Sequence, residues 1–197
     1  MDRTIDIRGR RGFSEILADR RGLLDAPHYQ SQVEAISAAI AKAFKSGHKV
    51  LWMGNGGSAA DAQHLAAEFS GRFLRERRGY PSESLSVNPS AVTAISNDYG
   101  YDRVFARQVE AFVKPGDVVV GITTSGTSKN IVVALEEAKK LGAVTIAFTG
   151  NGGGKVSEIA DLSLIGPDGY SAIIQEVHIT MGHIMCDLVE QQLMFNP

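Results

Sequence analysis

Several short stretches of this chain carry residue types whose spacing suits chemistry. In Gly54-Asn55-Gly56-Gly57-Ser58, glycines follow an apolar run and lead into a segment with helical spacing. Such a turn presents bare backbone N–H groups and the positive end of a helix dipole, which suit an anion such as phosphate. Further along the same segment His64 and Glu68 stand at i and i+4, on one helix face. That pair is able to bind a divalent metal or to work as acid and base, and it is equally an ordinary solvent-facing pair. Thr124-Ser125-Gly126-Thr127-Ser128 sets four hydroxyls around a glycine just before another helix. Hydroxyls and N–H groups bind phosphate without any Lys or Arg, although Ser and Thr are also plain N-caps. Gln175, Glu176, His178 and His183 interrupt an otherwise apolar run, so each must reach a wet face or a buried partner. Asn97-Asp98 reads as a turn or cap pair, with a ligand-facing role as the other reading.

The elements that must position these groups follow from periodicity. Phe13 to Leu24 and Tyr29 to Phe44 carry apolar residues at three- and four-residue steps and form a helical hairpin broken at Pro27. Strands are expected at Val50 to Met53, Ser84 to Val87, Val118 to Ile122, Ala143 to Phe148 and Leu162 to Ile165. Helices are expected at Ser58 to Phe73, Pro89 to Ile95, Asp102 to Phe112, Lys129 to Leu141, Lys155 to Ala160 and Ser171 to Phe195, with Arg75 to Pro81 a charged surface loop. Strands alternating with helices imply a parallel sheet covered on both faces. The fold class is α/β, a three-layer αβα sandwich. Ligands in such sheets bind beyond the carboxyl ends of strands where strand order reverses, so the two polar turns predict one cleft.

Composition sets the outer bounds. At 197 residues the chain is read as a single domain, 1–197, with residues 1–12 a flexible basic arm. Its 20 Lys plus Arg and 22 Asp plus Glu, net charge -2, give no global attraction to nucleic acid or to an acidic membrane. Cys186 is the only cysteine, which excludes an intrachain disulfide and a multi-cysteine metal site. No apolar run approaches the ~20 residues of a membrane span and no signal-peptide core precedes the first helix, so a cytoplasmic protein is expected. Neither turn matches GxxxxGK[ST] or a full GxGxxG fingerprint, and HExxH is absent, which leaves a nucleotide cofactor and zinc-protease chemistry without support.

Taken together, Gly54 to Glu68, Asn97-Asp98-Tyr99-Gly100, Thr124 to Ser128, and Ile174-Gln175-Glu176-Val177-His178 with His183 resemble the phosphoheptose isomerases of the sugar isomerase (SIS) domain family, in order over roughly residues 30 to 195. The resemblance implies a flavodoxin-like SIS domain with a five-stranded parallel sheet. It also implies an aldose-ketose isomerase that converts sedoheptulose 7-phosphate to D-glycero-D-manno-heptose 7-phosphate through an enediol, for heptose precursor synthesis. Carried over, it assigns Asn55, Gly56, Gly57, Ser58, Asn97 and Asp98 to the sugar, and Thr123, Thr124, Ser125 and Ser128 to the phosphate. It assigns Glu68 and His183 to acid and base catalysis, and Glu68 and Gln175 also to the substrate. It names His64, Glu68, Gln175 and His183 as ligands of one zinc ion per subunit, and implies a homo-oligomer, a tetramer in expectation.

The chain departs from the common pattern at Thr123, in place of a Ser, at Ile173, in place of a basic residue, and at Val87-Asn88-Pro89. A non-catalytic SIS protein, either a replication-initiator-associating type or a sugar-phosphate sensor, is the alternative. The replication-initiator branch lacks the carboxylate and imidazole that this chain has as Glu68 and His183.

One geometric constraint concerns the last helix. Eight residues separate Gln175 from His183, which an ideal helix converts to ~12 Å of rise and about 80° of rotation, whereas ligands sit only ~2 Å from a metal. Either the helix bends near its start or different subunits supply the two groups, and the second is expected.

Overall fold

In a computed structural model of the protein, residues 11–195 are described. Residues 1–10 of the expected basic arm lie outside them, and Arg11 pairs with Asp19 at 2.6 Å. Five strands, β1 (Val50–Gly54), β2 (Ser82–Ser84), β3 (Val118–Thr123), β4 (Val144–Thr149) and β5 (Leu162–Ile165), form one sheet in the order β2-β1-β3-β4-β5, every neighbouring pair parallel. Strand order reverses between β1 and β3, and Gly54 lies opposite Ile122 in their register. The glycine turn and the hydroxyl turn therefore leave the sheet side by side.

Around the sheet run α1 (Phe13–Ala18), α2 (His28–Lys45), α3 (Gly57–Ser70), α4 (Pro89–Tyr99), α5 (Ala106–Phe112), α6 (Lys129–Lys140), α7 (Gly154–Ile159) and α8 (Ser171–Phe195). Because strand side chains alternate between faces, Val50 and Trp52 point to one core and Leu51 and Met53 to the other. The first core takes Ile40 of α2, Phe69 of α3 and Val177 of α8; the second takes Val109 of α5 and Ile131 of α6. Trp52 lies between Phe69 and Phe148 with ring centroids 6.2 Å from each. The result is the expected three-layer sandwich. Gly121 admits α6 to the sheet, since a Cβ there would stand 2.7 Å from Ile131.

The first helix ends at Ala18 instead of Leu24, where the chain passes into three-residue turns (Arg20 N–H to Leu17 O, 3.1 Å) that reach Gly22 at φ 71°. Four further boundaries differ from expectation, each for a local reason. The second strand lies at Ser82–Ser84, earlier than Ser84 to Val87, because Ser82 accepts the Trp52 indole N–H at 2.9 Å while Ser84 is buried at the pairing edge. Helix α4 runs on to Tyr99: Asn88 caps its start through Ala91 N–H at 3.1 Å, and the stop comes at Gly100, with φ 82°. Asn97 and Asp98 thus lie on a helix's last turn. The helix expected from Asp102 begins at Ala106, after a 3₁₀ turn at Tyr101–Arg103. Helix α3 ends at Ser70 rather than Phe73, because the N–H groups of Phe73, Leu74 and Arg75 turn to the Glu190 carboxylate at 2.9, 3.0 and 3.0 Å.

That last contact also corrects the reading of Arg75 to Pro81 as simple surface loop. The Arg77 side chain is buried, pairs with Glu190 at 2.8 Å and donates to Glu68 O at 2.6 Å and Phe69 O at 3.0 Å. Burial by itself raises the Glu190 carboxyl, but the three backbone N–H groups and Arg77 outweigh it and hold the group below its ordinary value. Removing one partner of a buried pair of this kind costs about 3–5 kcal/mol.

Candidate active site

The glycine turn is shaped by close approach. Gly56 has φ 56°, and a Cβ on Gly54 would stand 2.4 Å from Ser58 O. Gly57 faces α8, where a Cβ would stand 2.7 Å from the Gln175 amide, and Gln175 donates to Ser58 Oγ at 3.4 Å. Asn55 exchanges two hydrogen bonds with Asn130, at 3.0 and 2.9 Å, and its Oδ1 also accepts the Tyr101 hydroxyl at 2.9 Å.

At the end of β3 the hydroxyls bond to one another. Thr123 Oγ1 lies 2.8 Å from Ser128 Oγ and 3.3 Å from Ser125 Oγ, and Thr127 donates to Ser125 Oγ through its hydroxyl at 3.2 Å. Thr124 Oγ1 lies 2.9 Å from Ser171 Oγ at the start of α8. Ser128 sits at the N-cap of α6 without capping it, and α3 likewise begins at Gly56 with no side-chain cap. Both helix starts leave their first N–H groups without a side-chain acceptor, the arrangement an anion completes and a plain cap does not. Lys129, beside this turn, is drawn to Asp102 at 2.5 Å.

His64, Glu68 and His183 meet on the facing sides of α3 and α8. His64 Nε2 lies 2.9 Å from His183 Nε2 and 3.0 Å from Glu68 Oε1, and one ligand atom from each residue falls within 4.8 Å of the others. The Phe73 ring lies on the His183 imidazole, centroids 5.5 Å apart and planes at 24°. Gly182 sets the approach of the helices, since a Cβ there would stand 2.8 Å from Leu65. All three residues belong to one chain, so this cluster needs no second subunit. Helix α8 is continuous and runs alongside α3, with Gln175 at Ser58 and His183 at His64. Gln175 therefore joins the glycine turn, apart from the cluster. Asn97 and Asp98 are exposed and bond to each other at 2.9 Å. It is Tyr101, just beyond them, that reaches Asn55.

Asp61 carries no expectation from the sequence, while His178 was expected to reach a wet face or a buried partner and meets the second condition. Asp61, one turn before His64, has an Oδ2 without a hydrogen-bond partner; burial pushes its carboxyl up to about 6, with the His64 charge pulling the other way. His178 is fully buried and lies 2.8 Å from Thr149 O through Nε2; burial lowers it to about 4, so it is neutral. Its Nε2 donates to the carbonyl and fastens α8 to the end of β4, between the levels of Gln175 and His183.

A family model described as SIS domain matches residues 24–150. The phosphoheptose isomerase of Aquifex aeolicus is 53% identical over 165 residues, 84% of this chain and 86% of that protein. That of Clostridium acetobutylicum is 48% identical over 91% of each chain. Among solved structures, a phosphoheptose isomerase from Neisseria gonorrhoeae superposes with a TM-score of 0.81 at 37% identity, covering 90% of this chain and 99% of that one.

Proposed function

The chain belongs to the SIS domain family and, within it, to the phosphoheptose isomerases, and from that premise we propose that it interconverts sedoheptulose 7-phosphate and D-glycero-D-manno-heptose 7-phosphate through an enediol, in heptose precursor synthesis. The observation that carries the mechanism is the meeting of one carboxylate and two imidazoles, Glu68 with His64 and His183, on the wall formed by α3 and α8. Glu68 takes a proton from C1 while His183 gives one to the carbonyl oxygen on C2, and the electron pair of the broken C–H bond becomes the C1–C2 double bond of the enediol. Loss of the proton from the C1 hydroxyl and return of a proton to C2 complete the aldose. Such proton transfers contribute about 10²–10⁴-fold to rate. Thr123, Thr124, Ser125 and Ser128 with the start of α6 hold the phosphate, and Asn55 to Ser58, Asn97, Asp98 and Gln175 line the sugar's path.

The same three side chains fit zinc, which favours imidazole and carboxylate ligands. His64, Glu68 and His183 would hold one ion per subunit, with Gln175 of another copy as a fourth ligand; when bound, the ion would supply Lewis acidity toward the substrate oxygens.

Helix α8 supports a site shared between copies. From Ser171 at the hydroxyl turn to His183 at the cluster is twelve positions, ~18 Å of ideal helix, longer than a seven-carbon chain with its phosphate. The hydroxyl turn and Gln175 of one copy then serve the cluster of another, within a homo-oligomer, a tetramer in our reading. Apolar surface is available for that assembly. Phe13 is 79% exposed, and an open groove of about 480 Å³ between α2 and α8 is lined by Leu24, Tyr29, Val33, Met181, Ile184 and Leu188. Among the described residues no helix is long and apolar enough to cross a membrane, and we place the enzyme in the cytoplasm.

The test is incubation with sedoheptulose 7-phosphate, with and without zinc, and detection of the aldoheptose phosphate. Glu68→Gln and His183→Ala are expected to lower kcat at least a hundredfold while inorganic phosphate still binds. Full turnover in either variant overturns the assignment.

A further inference from the structure

The group that reaches from the second layer into the cleft is Tyr101, and its partners can be counted to completion. An asparagine side chain offers two acceptor positions on oxygen and two N–H donors. Asn55 Oδ1 already accepts from Asn130 Nδ2 at 2.9 Å and from the Tyr101 hydroxyl at 2.9 Å. Its Nδ2 gives one N–H to Asn130 Oδ1 at 3.0 Å. What remains for a ligand is one Asn55 N–H and the lone pairs of the Tyr101 oxygen. Asn55 can donate to a sugar, but it has no acceptor left for one.

The arrangement is built rather than incidental. Asn130 is buried, 3% exposed, with its carbonyl and one N–H engaged by Asn55. The 3₁₀ turn bearing Tyr101 is anchored by buried Val104 and Phe105 and by Asp102 on Lys129 at 2.5 Å, while the Tyr101 side chain itself stays 53% exposed. We propose that Tyr101 is a further substrate-contacting residue that accepts a hydrogen bond from a sugar hydroxyl, with Asn130 as the positioning residue that keeps Asn55 turned as a donor. This rests on the reading of Asn55 as part of the sugar's path. Tyr101 and Asn55 then read adjacent hydroxyls of opposite polarity, which selects among sugar phosphates by the order of their hydroxyls and leaves the phosphate group to the hydroxyl turn.

The experiment compares calorimetric binding of sedoheptulose 7-phosphate and of inorganic phosphate, together with kcat and KM. Tyr101→Phe keeps the ring and removes the oxygen. It is expected to weaken the sugar phosphate and raise KM by about tenfold, the scale of one hydrogen bond, with kcat falling less than twofold and inorganic phosphate binding as before. Asn130→Asp cannot donate to Asn55 Oδ1 and is expected to weaken the sugar phosphate at least as much, again without loss of inorganic phosphate. Wild-type KM in Tyr101→Phe, or equal loss of both ligands, overturns the proposal. If the unaltered protein binds sedoheptulose 7-phosphate no more tightly than inorganic phosphate, the sugar path itself is misread, an outcome distinct from either.

Discussion

The hydroxyl turn at the end of β3 and the His64, Glu68 and His183 cluster both touch α8, yet they are held in opposite ways. The turn is made by consecutive residues: Thr123, Ser125, Thr127 and Ser128 bond among themselves over six positions, and the backbone N–H groups beyond them need no distant partner. The cluster joins residues 119 positions apart, and depends on how closely two helices lie. Gly182 lets α8 settle on Leu65, and Glu190 with Arg77 ties the end of α3 to α8. In the proposed mechanism anion binding is thus a property of one short segment, while proton chemistry is a property of the assembled layer. A change that loosens the layer should disable the second and spare the first.

The largest effect expected from this contrast comes from mixing. Ser125→Asp places a negative charge in the hydroxyl turn, and Glu68→Gln removes the proposed base; each variant alone is expected at 1% of wild-type activity or less, on the order of magnitude of lost acid-base catalysis. Co-refolded in equal amounts, they should regain about a quarter of wild-type activity if cluster and turn in each site come from different copies of a symmetric assembly. Activity that stays at background on mixing would return the whole site to one chain. Next in size is Glu190→Gln, which strands Arg77 and should lower the unfolding free energy by about 3 kcal/mol. Denaturant melts measure this, and phosphate affinity should hold at temperatures where the variant is folded; parallel loss of phosphate binding would erase the distinction between the two regions.

The smallest effect concerns His178, the buried imidazole between the two levels. Its folded value of about 4 lies below the ordinary 6.5. Between those values the unfolded chain holds the proton and the folded one does not, so lowering pH favours unfolding. Stability should rise from pH 4 to pH 6.5 with a contribution of at most about 1.4 kcal/mol per pH unit. His178→Gln should remove that share of the slope, measured as the difference between the two proteins, and identical slopes would refute it.

How much of this was legible in the sequence follows from the same division. The central strands and the two polar turns could be read because apolar runs of four to six residues and glycine-rich turns are local signals, as at Val118–Thr123 and Val144–Thr149. His64 and Glu68 were visible through helical spacing alone. The second strand was misplaced because Leu85 and Val87 are apolar, while the pairing residues Ser82 and Ser84 carry hydroxyls whose burial depends on Trp52 and the sheet edge. Arg77 looked like a surface charge, since its partner Glu190 comes 113 positions later. Tyr101 and Asn130 were passed over because their meaning lies in Asn55, 46 and 75 positions away. Hydroxyls and amides declare a role only through the partner that folding supplies.

The place of α8 has a consequence for biosynthesis. The chain is made from its N-terminus, and all five strands, both turns, His64 and Glu68 precede Ser171. A nascent chain therefore holds the residues of the proposed anion seat before it holds His183 or Glu190, and it leaves Leu65 without the α8 face that packs on it. Isomerase activity should appear as a late event in synthesis, after phosphate binding, and the interval between them is when this protein most needs protection from aggregation.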